Sequence, residues 1–183
     1  MNTYHQHIVN KVRPALQKEL GLSNVFQVPQ LREVIVNIGI GSYMKTNAKD
    51  LPLVIENIKL ITGQLPVTTL SKKAISNFKI RAGMINGLKV TLRGNRMYDF
   101  VNKLINVVLP RVRDFRGLSP RAFDGHGNYS LGLKEHTVFP EARIADEIRS
   151  FGIQVTIVTT AKTNQEAEKF LRALGFPFRA ISS

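Results

Sequence analysis

Three stretches of this chain alternate apolar and polar residues with a period of two, and that pattern restricts the fold more than any other feature. In residues 33–40, Val34, Val36, Ile38 and Ile40 share one side, while Ile35, Asn37 and Gly39 take the other. In residues 87–93, Leu88, Val90 and Leu92 oppose Lys89, Thr91 and Arg93. In residues 153–160, Ile153, Val155 and Ile157 oppose Gln154 and Thr156. Successive strand side chains point to opposite faces, so each stretch predicts a half-buried strand. Residues 66–70 and 129–134 read as two further strands.

Between these strands the apolar period changes to that of a helix. Tyr4 to Leu20 carries Ile8, Val12, Leu16 and Leu20 on one stripe and stops at Gly21. Pro14 lies inside it, so the helix either starts near that proline or kinks there. Asp50 is a candidate cap for a helix with Leu51, Val54, Ile55, Ile58 and Ile61 inward and Gly63 at its end. Asn95 is a candidate cap for a third, with Met97, Phe100, Val101, Leu104, Ile105 and Val108 inward, followed by Pro110. A short helix is expected after Pro140, with Ile144 and Ile148 inward. Thr163 and Glu166 form a capping box for the last helix, whose inward residues are Ala167, Phe170, Leu171 and Leu174. Residues 111–128, rich in Gly, Pro and Arg, predict an ordered loop.

Intermixed strands and helices of this kind predict one α+β domain over residues 1–183. Helices cover one sheet face and the other is left open. The open face would display Asn37, Lys89, Thr91, Arg93, Gln154 and Thr156, a polar and cationic set with no carboxylate. Such a set suits a ribose-phosphate backbone and its 2′-hydroxyls. A plain solvated sheet face is the structural alternative.

Charge favours a polyanionic partner. From Asn57 to Tyr98 there is no Asp or Glu, but there are eight bases: Lys59, Lys72, Lys73, Lys79, Arg81, Lys89, Arg93 and Arg96. A solvated surface mixes signs, because one-sign stretches repel themselves. Residues 1–134 hold 20 bases and 7 acids, whereas residues 135–183 hold 6 of each, so the whole excess of +13 belongs to the first part. The segment Ser71 to Met84 is too long for a hairpin turn, carries four of the bases, and contains Ile75, Phe78 and Ile80. Loops of that length are often functional. A flap folded on its own domain is the alternative.

Several chemistries are disfavoured. The absence of cysteine removes disulfides, thiolate metal sites and cysteine catalysis. His5, His7, His126 and His136 lack metal-ligand spacing, so no metal or other cofactor is expected. Gly39-Ile40-Gly41 lacks the third glycine of a dinucleotide fingerprint, since position 44 is Met44. Asp114, Asp124, Glu135 and Glu141 lie near arginines, and Asp114 with Arg113 and Arg116 reads as structural ion pairing. No nucleophile–base arrangement is visible, so no enzyme is expected. No apolar run approaches a membrane span and no hydrophobic signal segment opens the chain, which predicts a cytoplasmic location. The strand Lys89-Val90-Thr91 puts no ring outward, so base stacking on the sheet is not the expected mode of RNA contact.

The residues also carry a family resemblance over nearly the whole chain. The blocks are Val36-Asn37-Ile38-Gly39-Ile40-Gly41, Ile61-Thr62-Gly63-Gln64, Ser71-Lys72-Lys73 through Phe78-Lys79-Ile80-Arg81, and Lys89-Val90-Thr91-Leu92-Arg93-Gly94. Pro110-Arg111-Val112-Arg113-Asp114-Phe115-Arg116-Gly117-Leu118, Gly127-Asn128-Tyr129-Ser130 and Gly175-Phe176-Pro177-Phe178 continue it. The chain resembles the bacterial form of the large-subunit ribosomal protein L five family. That resemblance implies an antiparallel sheet and a structural role in the central protuberance. It implies contact with 5S rRNA through Asn37, Gln64 and Thr91, to which the basic face adds Lys89 and Arg93. It further implies contact with 23S rRNA, with P-site tRNA through Lys72, Lys73, Asn77, Phe78, Lys79 and Arg81, and with small-subunit ribosomal protein thirteen. Gly125-His126-Gly127 departs from the family's usual Gly-Arg-Gly and removes one certain charge. Two rival readings remain at this stage: an RNA-modifying enzyme on a basic α+β domain, and a free-standing RNA chaperone.

Overall fold

A computed structural model describes residues 3–41, 50–142 and 150–179. The helix expected after Pro140 lies largely outside them. Five strands form one antiparallel sheet: β1 (Leu31–Gly39), β2 (Val67–Leu70), β3 (Ile85–Leu92), β4 (Tyr129–Leu133) and β5 (Ile153–Thr159). Their order is β2-β3-β1-β5-β4. Among the described residues four helices accompany them: α1 (residues 3–19), α2 (Leu51–Thr62), α3 (residues 94–111) and α4 (Asn164–Ala173). All five expected strands are present, each within two residues of the expected ends.

The chain groups into two compact units. One comprises Met1–Val34, Leu92–Leu131 and Thr156–Ser183, and the other Ile35–Thr91 and Gly132–Val155.

The first unit holds α1, α3 and α4. Both long helices widen ahead of a proline. In α1, Ile8–Val12 is a π-helical turn in which the Arg13 N–H returns to the Ile8 carbonyl. In α3, Leu104–Val108 does the same, with the Leu109 N–H on the Leu104 carbonyl. A proline ring collides with the carbonyl four residues back. Five-residue spacing relieves that collision. Pro14 therefore does not start its helix, one of the two alternatives the sequence left open, and Pro110 lies within its helix rather than after it.

The first unit's core joins Leu16, Leu92, Phe100, Leu104, Tyr129, Ile157 and Phe170, all nearly inaccessible. Burying a side chain of this size contributes about 1.5–3 kcal/mol. The Tyr4 hydroxyl donates to the Leu174 carbonyl at 3.0 Å, and burial raises its pKa to about 12. Asn95 is not the cap of α3: Arg93 holds that position, without a side-chain cap bond. The capping box of α4 is offset by one residue. Thr163 accepts from the Glu166 N–H at 3.3 Å, but the Glu166 carboxylate accepts from Lys162 at 3.1 Å, not from Thr163.

The loop 111–128 is ordered by the chain terminus rather than by ion pairs. Leu118 donates to the Pro177 carbonyl at 2.8 Å, and Arg179 donates back to Leu118 at 3.1 Å. Gly117 has φ +93, and a Cβ there would come within 2.9 Å of the Arg179 nitrogen, so glycine is required. The Tyr129 hydroxyl donates to Ser119 at 2.9 Å. Among the described residues Asp114 makes no salt bridge with Arg113 or Arg116, which corrects the expected pairing.

The second unit packs α2 against its strand segments. Val54, Ile58 and Ile61 are buried with Val36, Ile38, Leu88, Val90, Ile153 and Val155. Asp50 makes no side-chain cap bond, and Pro52 occupies the first turn. Gly63 closes the helix in the left-handed region, with its N–H on the Lys59 carbonyl at 2.8 Å. His136 is buried. It stacks on Phe151 with ring centroids 4.0 Å apart, and its Nδ1 accepts the Phe151 N–H at 3.4 Å.

Candidate nucleic-acid interface

The strands of the second unit expose alternate side chains. Along β1, Val36 and Ile38 are buried while Asn37 between them is half-exposed. Along β3, Leu88 and Val90 are buried, Lys89 is exposed and Thr91 half-exposed. Along β5, Ile153 and Val155 are buried and Gln154 is exposed. The period of two delivers Asn37, Lys89, Thr91 and Gln154 to the open side, as the sequence predicts.

Gln64 joins this group through the backbone. It lies just beyond the Gly63 stop of α2, and its Nε2 donates to the Thr91 carbonyl at 3.2 Å. The Thr62 hydroxyl donates to the Gln64 carbonyl at 2.9 Å and receives the Gln64 N–H at 3.3 Å. Gln64 is thus held on both its main chain and its side chain. Gly87 permits the strands to approach: a Cβ there would come within 2.7 Å of the Ile38 carbonyl and 2.9 Å of the Thr69 hydroxyl.

In the first unit the open side differs from expectation. Arg93 is exposed, but its guanidinium donates to the Glu33 carboxylate in an ion pair. The expectation of a face without carboxylates is therefore corrected. Glu33 shares the outward parity of Asn37 on β1, a signal available in the sequence but outweighed by the cationic composition of the neighbouring strand. On the same unit Ser130 and Thr156 join their hydroxyls at 3.0 Å.

The segment 71–84 is a hydrogen-bonded arm rather than a structureless loop. Its base continues the β2–β3 ladder: Ser71 donates to the Met84 carbonyl at 2.8 Å, and Gly83 donates to Ser71 at 2.9 Å. Near its end, Ile75 and Ile80 exchange backbone bonds of 2.9 and 3.1 Å across a 3-10 turn, Ser76–Phe78. Lys79 closes that turn at φ +52. Lys72, Lys73, Asn77, Lys79 and Arg81 are all exposed. So are Ile75 and Phe78, the latter by 61%. The arm does not fold down on its own domain to bury these residues.

No group of three or more His, Cys, Asp or Glu residues poised to hold a metal occurs among the described residues. No described helix is long and apolar enough to cross a membrane.

Known proteins match this sequence along nearly its full length. Residues 24–81 match the family described as Ribosomal protein L5, and residues 85–178 match the C-terminus of the same ribosomal family. The large ribosomal subunit protein uL5 of Natranaerobius thermophilus is 55% identical over 173 residues, covering 94% of this chain and 96% of the relative. That of Heliobacterium modesticaldum is 52% identical over 175 residues, covering 96% and 97%. That of Thermosipho africanus is 54% identical over 170 residues, covering 93% of each. The chain belongs to the ribosomal protein L five family. This is a family of structural ribosomal proteins, not of enzymes, and the enzyme reading is set aside.

Proposed function

We propose that this protein is a structural constituent of the large ribosomal subunit that binds 5S rRNA through Asn37, Gln64, Lys89, Thr91 and Arg93. The observation that carries this reading is the convergence of Asn37, Lys89, Thr91 and Gln64 within the second unit. Three reach it by strand alternation, and the fourth by its bond to Thr91. Amide and hydroxyl groups beside a cation can meet ribose hydroxyls and phosphates together. The names of the relatives place those proteins in the large subunit.

The wider contacts extend this reading. The arm 71–84 reaches P-site tRNA with Lys72, Lys73, Asn77, Phe78, Lys79 and Arg81, while the rest of the basic surface meets 23S rRNA. Small-subunit ribosomal protein thirteen is the protein partner across the subunit interface. The chain acts throughout as one RNA-binding domain, associated with ribosomes in the cytoplasm.

Sequencing the RNA that co-purifies with the protein tests the proposal. Enrichment of 5S rRNA is the expected result. A broad mixture without 5S enrichment would favour an RNA chaperone instead.

A further inference from the structure

We infer that Glu33 and Arg93 act as a neutral reading pair, which accepts a ribose 2′-hydroxyl of the bound RNA and turns phosphate away. The inference rests on the 5S rRNA reading above but concerns residues of the first unit alone. Glu33 sits on β1 with its side chain only 19% exposed, whereas Arg93 is 68% exposed at the end of β3. A carboxylate this covered has few positions, so it fixes the guanidinium that donates to it.

The pair has no net charge and lies in a chain region otherwise rich in bases. A phosphate approaching Arg93 would meet the Glu33 carboxylate as well, and like charges repel. A hydroxyl meets no such conflict, because it can accept from the guanidinium and donate to the carboxylate at once. The hydroxyl that separates RNA from DNA has this dual character. Ser130 and Thr156, half-exposed strand residues of the same unit, are also uncharged. Arg93 therefore contributes orientation and RNA discrimination rather than counterion release.

The test compares the full-length protein with Glu33→Gln and Arg93→Lys, using a 5S rRNA transcript, salt titration and 2′-deoxy interference mapping. Arg93 is exposed and Glu33 is partly covered, so thermal melting checks that both variants remain folded. Glu33→Gln frees the guanidinium for phosphate, so the log–log salt slope should steepen by roughly 0.7–0.9. Its affinity extrapolated to about 1 M salt, where the log[salt] term is zero, should fall about fivefold, because the fixed geometry is lost. Arg93→Lys should lower that extrapolated affinity similarly, since an ammonium lacks the fork. A 2′-deoxy interference seen with the wild type should disappear with Glu33→Gln.

A steeper slope with unchanged extrapolated affinity and unchanged interference would show that Glu33 only masks charge, and would overturn the inference. Variants that match the wild type in every readout would overturn it too, while leaving the 5S reading intact. Failure of the wild type to select 5S rRNA would overturn both.

Discussion

Gln64 donates its side-chain amide to the backbone carbonyl of Thr91, 3.2 Å away and 27 residues along the chain. The bond joins the end of α2 to the open side of β3. It places a rigid amide beside a hydroxyl, and it commits one Gln64 donor to holding that arrangement. The Gln64 carboxamide oxygen and its second N–H remain for an external partner. Two kinds of substitution on these elements should therefore separate cleanly.

Asn37→Ala and Thr91→Ala should each weaken 5S rRNA binding by about 1 kcal/mol, the usual value of one hydrogen bond, without lowering the melting temperature. Val36→Ala and Val90→Ala, whose side chains are buried, should instead destabilise the fold by about 2 kcal/mol. Filter binding and urea unfolding distinguish the two classes. Asn37→Ala melting the protein while its folded fraction bound normally would invert the assignment of faces.

Binding to 5S rRNA should depend steeply on salt. With several exposed bases at the RNA, the log–log slope should be steeper than about −3, at roughly 0.7–0.9 per neutralised phosphate. Arg93 is already paired with Glu33 and is excluded from that count. A nearly flat titration would remove the electrostatic argument.

The arm should be separable from 5S binding. Its hydrogen bonds are internal to 71–84 or continue the β2–β3 ladder. Replacing residues 72–81 by a short Gly-Ser link should leave fold and 5S affinity within about threefold, roughly 0.6 kcal/mol. Ribosomes carrying the variant should release P-site tRNA faster. The exposed bases would touch backbone rather than base edges, so the effect should be similar for different tRNAs. Loss of 5S affinity with unchanged tRNA release would assign the arm to the 5S site.

His136 should make stability fall on acidification. Burial lowers its pKa below the usual 6.5, and the neighbouring Glu135 charge opposes that shift only in part. The unfolded chain then binds the proton more readily than the folded one. The His136 contribution is complete above about pH 6.5 and is lost progressively as pH falls below it. Protonation would also remove the Nδ1 lone pair that accepts the Phe151 N–H. Urea midpoints between about pH 7.5 and 5.5 should decline for the wild type and decline less for His136→Gln. Equal slopes would show that another group governs this window.

Local periodicity made much of this molecule legible in its sequence. Val36, Ile38, Leu88, Val90, Ile153 and Val155 announce a sheet with one covered side, because a strand's two-residue period needs no knowledge of its neighbours. The same parity placed Asn37, Lys89, Thr91 and Gln154 outward. Buried helix positions such as Ile8, Leu16, Val54, Ile58, Phe100, Val101, Ala167 and Phe170 were equally plain. Their ends were less so, since Asp50 and Asn95 are good cap residues by type but make no cap bond here. What the tertiary structure alone decided are relationships between residues distant along the chain. Examples are Glu33 with Arg93, Gln64 with Thr91, His136 with Phe151, and the loop at Leu118 with the terminus at Pro177. Each depends on strand pairing or on where a helix ends. A shift of one residue in register would dissolve it without changing the hydrophobic composition.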